Sequence, residues 1–343
     1  MAAPDRPQPQ SRNAYLDLLR GIAVLIVVFS HASNLHRHVI PGLDVHGVGK
    51  AGVWLFFVLS AFLLTRKLVD AFAERPSEAP RTLLRYGINR VFRILPLYLL
   101  VLAVHAWLIG DNREDGWRFL WRHALMLEGQ REFWVIPVEV KYYAVMPLFC
   151  LLHVFLWRGR FLPAALFLGA ASLFCIWEAN LGAAGKNSLH LWPYFPIFAC
   201  GSLLAVMPEG LFRRWASPGA AFAAAACLAV PLGFVIGGSQ TATMEEIYVL
   251  SPLLALFWSV VLAWGLVPGR VRPPRFLVFV GRISFSVYLI HYPLLLVLMK
   301  WPFLPQGAVG ILTLLLTLPI AWLTWRTVEQ PCITTGKRWG ESI

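Results

Sequence analysis

The chain has 343 residues, 58% of them hydrophobic and only 14% charged, with a formal net charge of +12 and a mean hydropathy of +0.64. That balance excludes an ordinary soluble domain and places the chain in lipid. In a soluble protein the positive charge would suggest nucleic acid; in a membrane protein it must first be sorted by side.

The N-terminal segment 1–14 is polar and rich in Pro and Gln and reads as a flexible cytoplasmic N-terminus. The apolar run from Tyr15 to Leu35 is too long for the hydrophobic region of a secretory leader and lacks a clear cleavage site, so it is expected to stay as a first helix. Further apolar runs follow over 48–65, 91–109, 134–157, 161–178, 191–207, 219–237, 246–267, 276–299 and 307–327. Each is of membrane-crossing length, which predicts an all-α integral membrane protein of about ten transmembrane helices. The transmembrane domain is expected over 15–330, with a short cytoplasmic tail over 331–343.

Basic residues recur in alternate connections. Arg6 and Arg12 precede the first run, Arg66, Lys67, Arg75, Arg81 and Arg85 join the second and third, and Arg158 and Arg160 join the fourth and fifth. Arg213 and Arg214, then Arg270, Arg272 and Arg275, continue the pattern, and Arg326, Lys337 and Arg338 close it. Cytoplasmic connections carry such an excess, so both termini are predicted to be cytoplasmic. The outer connection 111–132 is an exception, where Arg113, Arg118, Arg122 and Arg131 stand among Asp111, Glu114, Asp115, Glu128 and Glu132. There Trp117, Leu120, Trp121, Ala124 and Leu125 recur at helical spacing, which predicts a short amphipathic helix in the outer interface. No internal repeat of the transporter kind is evident.

Five cysteines, Cys150, Cys175, Cys200, Cys227 and Cys332, form an odd set without metal-type spacing, and the first four lie in apolar runs. Neither a disulfide framework nor a metal site is expected. His36, His38 and His46 share one loop and read as solvated, while His105 and His153 read as packed or interfacial.

Charged and titratable groups inside spans are costly in lipid, so each is a candidate for function. Arg20 and His31 are eleven positions apart, which returns to within about 20° of the same helix face and separates them by roughly 16 Å. Arg20 has the alternative of an interfacial anchor paired with Asp17. His31, whose ordinary pKa is about 6.5, suits general-base chemistry near neutral pH. Arg90 and Arg93 lie one turn apart at the start of the third run, where two guanidiniums suit a phosphate, although ordinary positive-inside flanking would also place them there. Glu139 lies inside the outer end of the fourth run, with Lys141 as its nearest cation. At i,i+2 those two side chains point apart on a helix. His291 follows the midpoint of the ninth run.

Taken together, several segments resemble the acyltransferase 3 family of membrane O-acyltransferases: Asp17-Leu18-Leu19-Arg20-Gly21-Ile22-Ala23 leading to His31, Phe56-Phe57-Val58-Leu59-Ser60-Ala61-Phe62-Leu63, and Arg90-Val91-Phe92-Arg93-Ile94-Leu95-Pro96-Leu97-Tyr98. Phe133-Trp134 with Glu139 is similar to the family's Trp-Ser-Leu-x-x-Glu element, with Val135 in place of the polar residue and Pro137 added. Ala61 stands where the family usually has Gly. Tyr288-Leu289-Ile290-His291 and Val328-Glu329-Gln330-Pro331 complete the set.

The resemblance implies a ten-helix fold and transfer of an acyl group, acetyl by family habit, from cytoplasmic acyl-CoA to a sugar, polysaccharide or glycolipid hydroxyl. It further implies a bacterial inner-membrane location, His31 and Glu139 as catalytic residues, and Arg20, Arg90 and Arg93 as contacts to the CoA phosphates. Ser60, Tyr288 and His291 would bind substrate or support the site, with no metal. His31 would act as general base, with an acyl-histidine intermediate as the competing form. The alternative from another class is a polytopic transporter or flippase for a glycan or lipid, because ion-coupled carriers also bury His, Arg and Glu.

Overall fold

Lipid offers the backbone no hydrogen-bond partner, so long apolar runs can only satisfy their amides internally, as helices. The computed structural model describes residues 9–109, 113–181, 187–226 and 244–343. Among them every regular element is helical. In chain order these are α1 (Pro9–Asn34), α2 (Gly49–Glu74), α3 (Ala79–Ile109), α4 (Arg113–Ala124), α5 (Val135–Leu151), α6 (Phe161–Leu181), α7 (Phe195–Ala205) and α8 (Glu209–Trp215). They continue with α9 (218–226), α10 (Met244–Gly265), α11 (Arg275–Arg282), α12 (Ser284–Met299), α13 (Gln306–Thr324) and α14 (Gln330–Glu341).

Six helices are long and apolar enough to cross a membrane, or seven if α11 and α12, bent by 77° at their junction, count as one span. Trp192–Ala205 and Ser251–Gly265 are shorter apolar helices. Of the predicted run 219–237 only 219–226 is described, and Cys227 lies outside the described residues, as do residues 1–8 and Asp111. Residues 9–14 already belong to α1. The C-terminal segment is the helix α14, packed along the start of α3, where Arg85 Nε donates to the Gly340 carbonyl at 2.7 Å and Trp339 meets the Phe92 ring at 5.5 Å.

α1 and α2 form the centre, with α11 and α12 against α1, and α5, α7 and α10 against α2. Close approach of the helices depends on small residues, as in other lipid-embedded bundles. A Cβ on Gly281 would stand 1.7 Å from the Asp17 carbonyl oxygen, and one on Gly21 would stand 2.3 Å from that of Leu277, so α1 and α11 touch backbone to backbone. Ala61 is fully buried against Gly201 of α7, which leaves the space there that a glycine on α2 would otherwise provide.

Aromatic stacking ties α5 and α7 to α2. Phe57 stacks on Phe198 at 4.2 Å, Tyr142 stacks on the same ring at 4.1 Å, and Trp134 meets Tyr194 at 4.9 Å. Such pairs contribute about 1 kcal/mol each beyond their buried area. Pro137 falls in the first turn of α5, where a missing N–H costs nothing.

The predicted amphipathic helix is α4. Phe119 and His123 turn inward and stack at 3.9 Å, while Trp117 and Trp121 remain exposed on the opposite side. His105 is buried against Phe119 at 4.9 Å, and His153 is also buried.

Candidate active site

Two polar clusters face each other along α1, separated by the eleven-residue rise between Arg20 and His31, roughly 16 Å. The first is built on His31. Its Nδ1 lies 2.8 Å from Nε2 of His291, and the rings stack at 5.1 Å with planes 12° apart. His291, fully buried in α12, places Nδ1 3.1 Å from the Val287 carbonyl. A carbonyl only accepts, so that nitrogen carries the proton. With both rings neutral, His291 Nε2 is then an acceptor, His31 Nδ1 donates to it, and the lone pair of His31 lies on Nε2. His31 is only partly buried, and this second nitrogen is left for chemistry.

Tyr292 meets the His31 ring edge-on at 5.1 Å and carries the Arg131 guanidinium over its own face at 5.7 Å. Tyr288, one helical turn before His291, donates its hydroxyl to the Glu132 carbonyl at 2.7 Å. It therefore anchors the turn that leads into α5. Ser30, beside His31, is fully buried, and its hydroxyl has no partner. A Cβ on Gly49 would lie 3.1 Å from that hydroxyl and 3.9 Å from Cδ2 of His31. The start of α2, whose Val48 cap makes no side-chain bond, therefore abuts the same spot.

The second cluster gathers the arginines. Arg93 pairs with Glu329, whose second oxygen accepts from Ser286 at 2.7 Å. Glu329 ends a π-helical turn over Trp325–Glu329, the kind of local widening that re-aims a side chain. Arg20 pairs with Asp17 at 3.1 Å, as the anchoring alternative expected, yet it also lies within electrostatic reach of Arg93 and Glu329. Arg90 sits 5.9 Å over the Tyr143 ring, with its Nε buried and without a partner. It borders a cavity of about 480 Å³ between α3 and α5.

Ser60 shares a 2.6 Å hydrogen bond with the Tyr143 hydroxyl. Glu139 lies within reach of Tyr143, Arg90 and Arg93, so it belongs to this arginine cluster. Lys141 is not its partner, because Nζ reaches away to the Leu189 carbonyl at 2.6 Å.

The eight sequence candidates thus divide. His31, His291 and Tyr288 stand at one end, and Arg20, Arg90, Arg93, Glu139 and Ser60 at the other. Sequence reasoning passed over Glu329 as an ion-pair partner, and also Ser30 and Glu132. Glu132 is fully buried, with neither carboxylate oxygen partnered. It follows Arg131, whose φ of 54° lies in the left-handed region and turns the chain inward. The available signal was its position immediately before Phe133-Trp134.

The acyltransferase-domain profile known as acyltransferase 3 matches residues 13–326, which include the His31 cluster and every member of the arginine cluster except Glu329. The chain belongs to the acyltransferase 3 family. A protein of Komagataeibacter xylinus, provisionally named membrane-bound transacylase BcsY, is 26% identical over 94% of this chain and 83% of its own length. The peptidoglycan O-acetyltransferase OatA of Listeria monocytogenes is 23% identical over 94% of this chain. The chain spans 56% of that relative's length. No solved structure matches. Family and helices together identify a multi-pass membrane acyltransferase.

Proposed function

We propose that this acyltransferase moves an acyl group, acetyl by preference, from cytoplasmic acyl-CoA to a carbohydrate hydroxyl, with His31 as general base. The observation that carries the reading is the His31–His291 hydrogen bond, which leaves the basic lone pair on His31 Nε2. His291 is the positioning residue. Removal of the acceptor's O–H proton by His31 accompanies formation of the new C–O bond, and the imidazolium then returns that proton to the departing thiolate. The partnerless Ser30 hydroxyl supplies a donor for the oxyanion that develops.

Acyl-CoA, when bound, supplies an activated thioester carbon and a good leaving group. Its phosphates suit Arg90, whose buried Nε lacks any partner, with Arg20 and Arg93 adding positive field. Glu139 holds Arg90 and Tyr143 in register. The ten-span arrangement with cytoplasmic termini in a bacterial inner membrane puts the arginine end at the cytoplasm and His31 in the outer half. Family membership favours this enzyme over a transporter, and the named relatives support a polysaccharide-like acceptor.

The test is release of free CoA from acetyl-CoA by the purified protein in nanodiscs. Wild type should release CoA, His31→Ala should bind acetyl-CoA without releasing it, and Arg90→Ala should bind it weakly. Wild-type protein that neither binds nor cleaves acetyl-CoA in the presence of a sugar acceptor would overturn the proposal.

A further inference from the structure

Apart from both clusters, a cavity of about 460 Å³ opens on the outer surface of the bundle between α5, α6 and the segment leading into α7. Its walls are apolar. Val145, Leu148, Phe167 and Phe174 line it and are well exposed, which in a membrane protein means that they face acyl chains. The volume falls in the range of ligand pockets, roughly 300–1,000 Å³.

One end differs in chemistry. Lys141 lies there on the lipid-facing side of α5, and its ammonium spends one N–H on the Leu189 carbonyl, leaving two. His190 and Trp192, both exposed, complete that end. A lysine facing lipid is costly unless its charge is answered. A carbonyl answers only part of it, and among the described residues no carboxylate pairs with Lys141. An indole beside a basic side chain is the usual dress of a headgroup level.

We propose that this groove binds one anionic phospholipid, with an acyl chain along Leu148 and Phe174 and the phosphate on Lys141 and His190. The charge at one end and the apolar length below it match that amphiphile and no water-soluble ligand. Tyr142 forms part of the inner wall and hydrogen-bonds through Ser202, whose hydroxyl lies 2.7 Å from Thr65 of α2. An occupied groove therefore braces α5 against the central helix, and its occupancy stabilises the fold. The inference is independent of the reading of His31.

The experiment is thermal unfolding of the detergent-purified chain titrated with phosphatidylglycerol, phosphatidylcholine, a polyprenyl phosphate or glycerol 3-phosphate. It compares wild type, Lys141→Ala, Lys141→Arg and Ala171→Trp, the last of which fills the groove. Because a ligand stabilises only the state that binds it, phosphatidylglycerol should raise the wild-type Tm. Lys141→Ala should weaken that apparent affinity by about fivefold, Lys141→Arg should retain it, and Ala171→Trp should abolish it. Glycerol 3-phosphate alone should give no shift. Equal shifts with phosphatidylcholine, a phosphatidylglycerol response unchanged in Lys141→Ala and Ala171→Trp, or a response to glycerol 3-phosphate would each overturn the proposal. A larger response to a polyprenyl phosphate than to phosphatidylglycerol would replace the phospholipid by a lipid-linked sugar carrier and overturn it likewise.

Discussion

Arg93 on α3 and Glu329 at the end of the π-turn after α13 are 236 positions apart and form a direct ion pair, with Ser286 of α12 donating to the second carboxylate oxygen. One side-chain group thus joins three helices. The Glu329 side chain is inaccessible to solvent, whereas that of Arg93 is 30% exposed. Removing the carboxylate leaves a largely desolvated guanidinium without its partner.

Glu329→Gln is therefore expected to destabilise the fold by about 3 kcal/mol, at the low end for a broken buried pair because Arg93 retains some solvent. The double variant Arg93→Met/Glu329→Leu should lose less than the sum of the single variants. Thermal unfolding in detergent measures both.

His31→Ala should lower CoA release by about 100-fold or more, within the span assigned to a general base. His291→Phe keeps the stacked ring but offers no acceptor for His31 Nδ1–H. Its kcat should fall with acetyl-CoA affinity unchanged, and the single-turnover rate of acyl transfer distinguishes it from a folding defect.

Ser30→Ala is expected to reduce kcat by about tenfold or more while KM stays constant, because an oxyanion donor acts in the transition state alone. Steady-state kinetics at saturating acetyl-CoA reads this. An equal loss in KM would assign Ser30 to substrate binding.

Ala at Gly281 would place a Cβ against the Asp17 carbonyl, 1.7 Å away in the unrelaxed structure. Separating α1 from α11 should cost about 1–3 kcal/mol, as overpacking does elsewhere. Gly87→Ala, whose Cβ meets nothing within 4 Å, is the matched control and should leave the melting temperature in place.

His123 of α4 donates from Nδ1 to the Phe119 carbonyl and accepts the Gln130 amide on Nε2 at 3.0 Å. Burial lowers its pKa below the ordinary 6.5. Between that lower value and 6.5 the unfolded chain binds the extra proton, so this contribution to stability is present above pH 6.5 and is lost as pH falls below it. Amide exchange of residues 125–131 should accelerate from pH 7 to pH 5 beyond its intrinsic pH dependence, and His123→Gln should remove that excess.

The sequence by itself determined the all-helical class, because apolar runs in lipid have no other way to satisfy their backbone, and it placed α4 from the spacing of Trp117 and Trp121, but it read 276–299 as one run where α11 and α12 meet at a 77° bend. It also singled out His31, Arg90, Arg93, Glu139 and His291, because charge and imidazole in such runs are too costly to be incidental. Glu132 escaped, since it reads as one more charge in a loop until the left-handed turn at Arg131 buries it. Tertiary structure alone decided the partners: His291 against His31, 260 positions away, Glu329 against Arg93, and Lys141 directed to Leu189 and away from Glu139. In a lipid-embedded helix nearly every face is apolar, so periodicity marks no packing side. Which faces meet depends on small residues such as Gly21, Gly201 and Gly281 and on complementary shape, and these act only once the helices are assembled.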